Sequence, residues 1–233
     1  MVGKKFPNFS NEISLWGKYD FVGGIDEVGR GAFAGPVVAA CVVFDKSFKG
    51  GTLQGSRTIT IDDSKKLTPD KRKEASYWIK ENSLAWGIGS VSTAMINKYG
   101  LIKATQTSMR RAIYEANKKL PNSIEFLLLD AFYLPFTKGL PSKQKNSRKD
   151  AQSRQLAITK GDGISMSIAA ASIIAKVYRD EIMVNLSRGC IFNYYGWEKN
   201  KGYGTKAHLA ALHKFGVTRQ HRKKFIKTHL AKN

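Results

Sequence analysis

Apolar residues cluster along this chain in runs of two different periods, and the runs predict its elements. Phe21-Val22-Gly23-Gly24-Ile25 and Val37-Val38-Ala39-Ala40-Cys41-Val42-Val43 read as two strands, with Asp26-Glu27-Val28-Gly29-Arg30-Gly31 between them. Leu84 to Val91 reads as a third strand. Ile124 to Leu129 is apolar and too short for a helix, so it is expected to be a buried strand parallel to its neighbours. Helical spacing marks three other stretches. Thr68-Pro69 combines a capping hydroxyl with a proline suited to the first helical position, and predicts a helix running to about Asn82. The span Ile96 to Lys119 carries Ile102, Met109, Ala112, Ile113 and Ala116 on one helical face, and Ile164 to Leu186 is rich enough in alanine and isoleucine to be a largely buried helix. A further helix is expected to begin near Thr205. Residues 1–20 are polar and read as an irregular lead-in, with Ile13, Leu15 and Trp16 packing back onto the body.

Composition sharpens this outline. The 233 residues are 42% hydrophobic, enough for one substantial core, and no repeat of fixed period points to a solenoid. A formal net charge of +21, from 39 basic and 18 acidic residues, calls for a polyanionic partner bound in a salt-sensitive way. Nucleic acid fits better than a membrane surface, because no long apolar span or basic amphipathic anchor is present. The first residues lack the apolar core of a signal peptide, so a cytoplasmic protein is expected. Cys41 and Cys190 are far apart in apolar surroundings and read as buried thiols.

Candidate chemistry sits where the runs end. Successive strand side chains face opposite ways, so Asp26 and Glu27 can serve one centre only if the strand ends or bulges there. Gly29 and Gly31 suit unusual backbone angles and a close approach to a ligand, and Arg30 between them suits a phosphate. A surface hairpin would account for an isolated Asp-Glu pair; it would not require the whole run. Asp130 ends the apolar strand, where α/β sheets bind ligands, although a turn or cap is the other reading. Asp162 either caps the following helix or binds metal, and the two are compatible. Ser64, Lys65 and Lys66, just before a helix N-terminus, suit a phosphate as well as a solvated face. Gathering Asp26, Glu27, Asp130 and Asp162 at one site demands a compensating divalent cation, and oxygen ligands favour Mg2+ or Mn2+. His208, His213, His221 and His229 read as surface or phosphate-adjacent groups.

Taken in order, several blocks resemble the ribonuclease HII family, the type 2 ribonucleases H. They are Asp26-Glu27-Val28-Gly29-Arg30-Gly31 with Ala34-Gly35-Pro36-Val37-Val38, then Asp63-Ser64-Lys65-Lys66-Leu67-Thr68, Leu127-Leu128-Leu129-Asp130 and Lys160-Gly161-Asp162. Ala169-Ala170-Ala171-Ser172 through Asp180 and Lys201-Gly202-Tyr203-Gly204-Thr205-Lys206-Ala207-His208 complete the set. The resemblance implies an α/β, ribonuclease H-like fold, with a mixed central sheet of about five strands flanked by helices and a helical C-terminal appendage. It divides the chain into a lead-in at 1–20, a catalytic domain at 21–187 and a basic appendage at 188–233. Residues 133–159, carrying Lys138, Lys143, Lys145, Arg148, Lys149 and Arg154, then look like a basic insertion, either a solvated loop or a flap over the substrate.

The resemblance also implies a reaction: hydrolysis of RNA paired to DNA, and cutting 5′ of single ribonucleotides in duplex DNA, leaving 3′-hydroxyl and 5′-phosphate ends. Two ions would be held by Asp26, Glu27, Asp130 and Asp162, Gly29-Arg30-Gly31 would read the 2′-hydroxyl, and Tyr203 would stack on the next sugar. A monomer acting on hybrid duplexes is expected. The competing readings are a type 3 ribonuclease H or another nuclease of that fold, a metal-independent ribonuclease, and a non-catalytic basic nucleic-acid binding protein.

Overall fold

The computed structural model describes residues 6–48, 59, 61–140, 153–189 and 192–230. Its chain order is α1 (Ser10–Trp16), β1 (Val22–Val28), β2 (Val37–Val43), α2 (Pro69–Asn82), β3 (Ala85–Val91), α3 (Thr93–Tyr99), α4 (Leu101–Asn117), β4 (Phe126–Asp130), β5 (Gln155–Ile158), α5 (Met166–Ser187), α6 (Trp197–Asn200), α7 (Lys206–Phe215) and α8 (Lys223–Leu230). The five strands form one mixed sheet in the order β3-β2-β1-β4-β5. β1, β2 and β3 are antiparallel neighbours, while β4 runs parallel to both β1 and β5.

Alternation along the strands assigns the two faces. Val22 and Val28 of β1 and Leu128 of β4 pack with Ile168, Ala171 and Ile174 of α5 and Ile79 of α2. The intervening Ile25, Leu127 and Leu129 pack with Met109, Ala112 and Ile113 of α4 on the other face. Gly24 lets α5 lie directly on β1, since a Cβ there would stand 2.3 Å from the backbone of Ser167. Helix starts follow local chemistry. Thr68 and Ser165 cap α2 and α5 by accepting from Lys71 N–H and Ile168 N–H.

Several expectations need correction. The lead-in contains α1, and Glu12, nearly fully buried, accepts from Ser165 Oγ at 2.6 Å and from Ser167 N–H at 2.9 Å. Leu15 and Trp16 do pack inward, but Ile13 is exposed. The span Ile96 to Lys119 is two helices broken at Gly100, and Ile102 faces solvent while the rest of its stripe is buried. Residues 133–159 are not one loop. Gln155–Ile158 is the edge strand β5, and buried Gln155 anchors residues 134–140 by accepting from Leu134 N–H and donating to the carbonyls of Leu134 and Leu140. The lysine-rich stretch 141–152, most of residues 46–60, and Cys190 lie outside the described residues. Cys41 is a buried thiol whose pKa burial pushes up to about 12. Among the described residues no helix is long and apolar enough to cross a membrane.

Candidate active site

Sheet register brings the first two acids together. Ile25 of β1 and Leu129 of β4 are the last pair between these parallel strands, so the next residues, Asp26 and Asp130, lie side by side where the pairing stops and share the parity that faces α5. Glu27 has the opposite parity in a strand that continues to Val28, without the bulge or break expected from sequence. It reaches the same cleft because the cleft opens across the strand ends. That cleft encloses about 520 Å³ and is lined by Asp26, Glu27, Gly29, Ser64, Lys65, Asp130, Ser172, Lys176 and Tyr203, with Val28 and Arg72.

Burial pushes the Asp26 pKa up to about 8, with repulsion from Glu27 and Asp130 adding to it and hydrogen bonds from Ser172 and Glu27 N–H opposing it. Burial also raises the Glu27 pKa, against the pull of Arg30, whose Nη1 donates to Oε1 at 2.9 Å. The second oxygen of Glu27, Oε2, is buried without a hydrogen-bond partner. Asp130 accepts from Gly161 N–H at 2.8 Å, which hangs the single 3-10 turn Gly161–Gly163, and with it Asp162, beside the strand end. Ser165 rather than Asp162 caps α5, leaving Asp162 to accept from Lys65 Nζ at 3.1 Å.

The carboxylates approach one another without closing into a ligand cage. Among the described residues no three His, Cys, Asp or Glu side chains converge as a ready metal site. The donor chemistry nevertheless fits a hard divalent cation. Every candidate donor is a carboxylate oxygen, Glu27 Oε2 lacks a hydrogen-bond partner, and burial, reinforced by repulsion from Glu27 and Asp130, raises the Asp26 pKa in a way that a bound cation would reverse.

The remaining predicted residues divide. Gly29 takes φ +92°, and a Cβ there would collide with Arg179, so its glycine is required. Gly31 shows neither constraint. Arg30 is paired with Glu27 and lies 5.0 Å over the Phe132 ring. Ser64 is buried and bonds Ser172 Oγ at 3.0 Å, so it braces the Asp26 contact. Lys66 is outside the cleft lining and pairs with Asp62 at 3.4 Å. Tyr203 is half-buried, with Arg179 and Lys176 at 5.2 and 5.7 Å from its ring. Ser172 and Lys176 were not singled out from sequence, although Ser172, Lys176 and Asp180 recur every fourth residue in an apolar helix, which is a readable polar stripe. The histidines depart furthest from expectation. His208 and His221 are fully buried, not surface groups; His213 is exposed, and the side chain of His229 falls outside the described set.

A model of the family described as Ribonuclease HII matches residues 23–232. The chain belongs to the ribonuclease HII family. A ribonuclease HII from Clostridioides difficile (strain 630) is 44% identical over 209 residues, covering 90% of this chain and 71% of the relative. Among solved structures, ribonuclease H2 from Pyrococcus horikoshii OT3 aligns with TM-score 0.62 at 21% identity, covering 88% of this chain and 93% of that one. Bst-RNase HIII in complex with Mn2+ aligns with TM-score 0.57 at 20% identity, over 89% of this chain and 70% of that one. These two likenesses establish the ribonuclease H-like fold. Membership of the ribonuclease HII family makes the chain a ribonuclease H, a nuclease of RNA/DNA substrates from a divalent-metal-dependent family.

Proposed function

We propose that this ribonuclease H cleaves the RNA strand of hybrids and cuts 5′ of single ribonucleotides in duplex DNA, leaving 3′-hydroxyl and 5′-phosphate ends. The observation that carries the reading is the meeting of Asp26, Glu27 and Asp130 at the end of two parallel strands beside Gly29 and Tyr203. Asp26, Glu27, Asp130 and Asp162 are the residues that would hold two Mg2+ or Mn2+ ions; the Mn2+ complex of a ribonuclease HIII of the same fold supports that choice of ion. When bound, such ions supply Lewis-acid activation of water and charge stabilisation at the leaving oxygen.

The chain's own groups do the rest. Asp26 gives up its proton before it can act as a ligand, and Ser172, braced by Ser64, orients its carboxylate. Lys65, three-quarters exposed, is free to exchange Asp162 for a substrate phosphate. The backbone at Gly29 lines the cleft and can contact a 2′-hydroxyl, the group that separates RNA from DNA. Arg30 and Gly31 belong to the same reading turn, and Lys66 adds to the basic rim. Tyr203 supplies an aromatic face for the next sugar. We assign catalysis to residues 21–187 and the second wall of the groove to residues 188–233, in a monomer working in the cytoplasm.

The test is cleavage of an end-labelled DNA duplex holding one ribonucleotide, with Mg2+ or Mn2+, by wild type and Asp26→Asn. A cut on the 5′ side of the ribonucleotide, absent in the variant, is the expected result. Cutting only within longer RNA runs would move the protein to a type 3 specificity, and cyclic-phosphate ends would overturn the metal mechanism.

A further inference from the structure

Three backbone segments meet beneath the cleft: the turn after Gly29, the turn that carries Tyr203, and residues 218–222. Phe33 and Ala34 donate to Gly202 O at 2.8 and 3.1 Å, Gly35 donates to Gln220 O at 2.9 Å, and Arg222 N–H donates to Phe33 O at 2.7 Å. His208 and His221 fill the junction, both without exposed surface. Their neighbours dictate where the protons sit. His208 Nδ1 lies 2.9 Å from the carbonyl oxygen of Tyr203, which can only accept, so Nδ1 carries hydrogen. His208 Nε2 is then the bare nitrogen, and it accepts from Trp197 Nε1–H at 3.2 Å. It also faces His221 Nε2 at 3.1 Å. His221 Nδ1 accepts from Thr218 N–H at 2.9 Å, which places the His221 hydrogen on Nε2, directed at His208.

The two imidazoles are thus held as opposite neutral tautomers. A second proton on His208 would set three N–H groups against one another. Among the described residues no carboxylate faces the pair: Trp197 and the Tyr195 and Phe33 rings surround it, Thr218 bonds it, and the neighbouring Arg222 turns its guanidinium to the carbonyls of Arg30, Gly35 and Pro36. We propose that His208 is a positioning residue for substrate recognition: its Nδ1–H holds the Tyr203 carbonyl, and so the Tyr203 ring, at the cleft, while His221 fixes the His208 tautomer. This rests on the reading of Tyr203 as a substrate contact. Space-filling alone would leave the tautomers undetermined.

The test measures kcat/KM on a duplex with one ribonucleotide for Tyr203→Ala, His208→Leu, His208→Asn and the Tyr203→Ala/His208→Leu double variant. Tyr203→Ala and His208→Leu are each expected to lower kcat/KM by about tenfold, the scale of one lost hydrogen bond or stacking contact. His208→Asn, whose amide N–H can reach the same carbonyl, should recover to within about threefold. Adding His208→Leu to Tyr203→Ala should cost nothing more. If Tyr203→Ala is impaired but His208→Leu is silent, or its loss multiplies in the double variant, positioning is overturned while the Tyr203 reading stands. If Tyr203→Ala is itself unimpaired, that reading falls and the positioning role with it. Should His208→Leu not fold, 15N spectra of the wild-type imidazoles decide: hydrogen on Nδ1 of His208 and Nε2 of His221 is required, and the reverse tautomers overturn the proposal.

Discussion

Two of the buried polar assemblies in this chain are completed to different degrees. Around Asp26 and Glu27 burial, reinforced by neighbouring like charges, raises the carboxyl pKa values, and one carboxylate oxygen has no hydrogen-bond partner. Around Arg179 and Arg222 two like charges also lie close, but their donors are satisfied. Arg179 donates to the carbonyls of Pro36, Lys201 and Ala34, and Arg222 donates to those of Gly35, Arg30 and Pro36. An incomplete polar site in a folded protein marks where a ligand is to enter, whereas a satisfied one marks scaffold. Here the scaffold lies directly beneath the turn that the incomplete site uses.

The sharpest way to break this contrast is Asp26→Asn. It should abolish cleavage while raising the stability of the ion-free protein. The sign follows from linkage: an acid raised from 3.8 to about 8 in the folded state favours folding least once pH climbs through about 8. Removing the charge should then stabilise by a few kcal/mol at pH 8, and hardly at pH 4, as read by thermal unfolding with a chelator present. A variant that loses activity and stability together would contradict it.

Arg222→Met should do the reverse, costing about 3 kcal/mol or more, because buried carbonyls lose their donors. Denaturant unfolding measures it, and a cost near zero would mean that the guanidinium is not scaffold. A smaller effect is expected from acid. Burial, reinforced by His208, pushes the His221 pKa down to about 4, so between about 6.5 and 4 the unfolded chain takes a proton that the folded chain refuses. Stability therefore falls with falling pH across that window, and His221→Asn should flatten this part of the wild-type Tm against pH curve. The smallest difference concerns two adjacent lysines. Lys65→Ala should weaken substrate binding by about tenfold and Lys66→Ala by about twofold, since only Lys65 lines the cleft. Equal losses would mean that total charge, not placement, governs affinity.

Much of the site was legible because its signals are local. Asp130 stands at the end of an apolar run, Thr68-Pro69 states where a helix starts, and the Gly-Arg-Gly turn follows two acids. What escaped reading depends on distant partners. Glu12 looks like a surface acid until Ser165 and Ser167 meet it. β5 is four residues at a sheet edge, three of them exposed or partly exposed, so it lacks the apolar pattern of a buried strand. His208 and His221 stand 13 residues apart, on a helix and a bridge, and nothing in that spacing announces contact. The local context of Asp162 allowed a cap or a ligand, and the structure gives the cap to Ser165 instead.

The Arg222 contact with Gly35 closes a span of 187 residues. During synthesis, the turn after Gly29 therefore stays without its clasp until Arg222 has left the ribosome. A pairing so remote in sequence is slow to form and costly in chain entropy. The geometry of that turn is therefore among the last features of the fold to be fixed, because its clasp joins the two ends of the described chain.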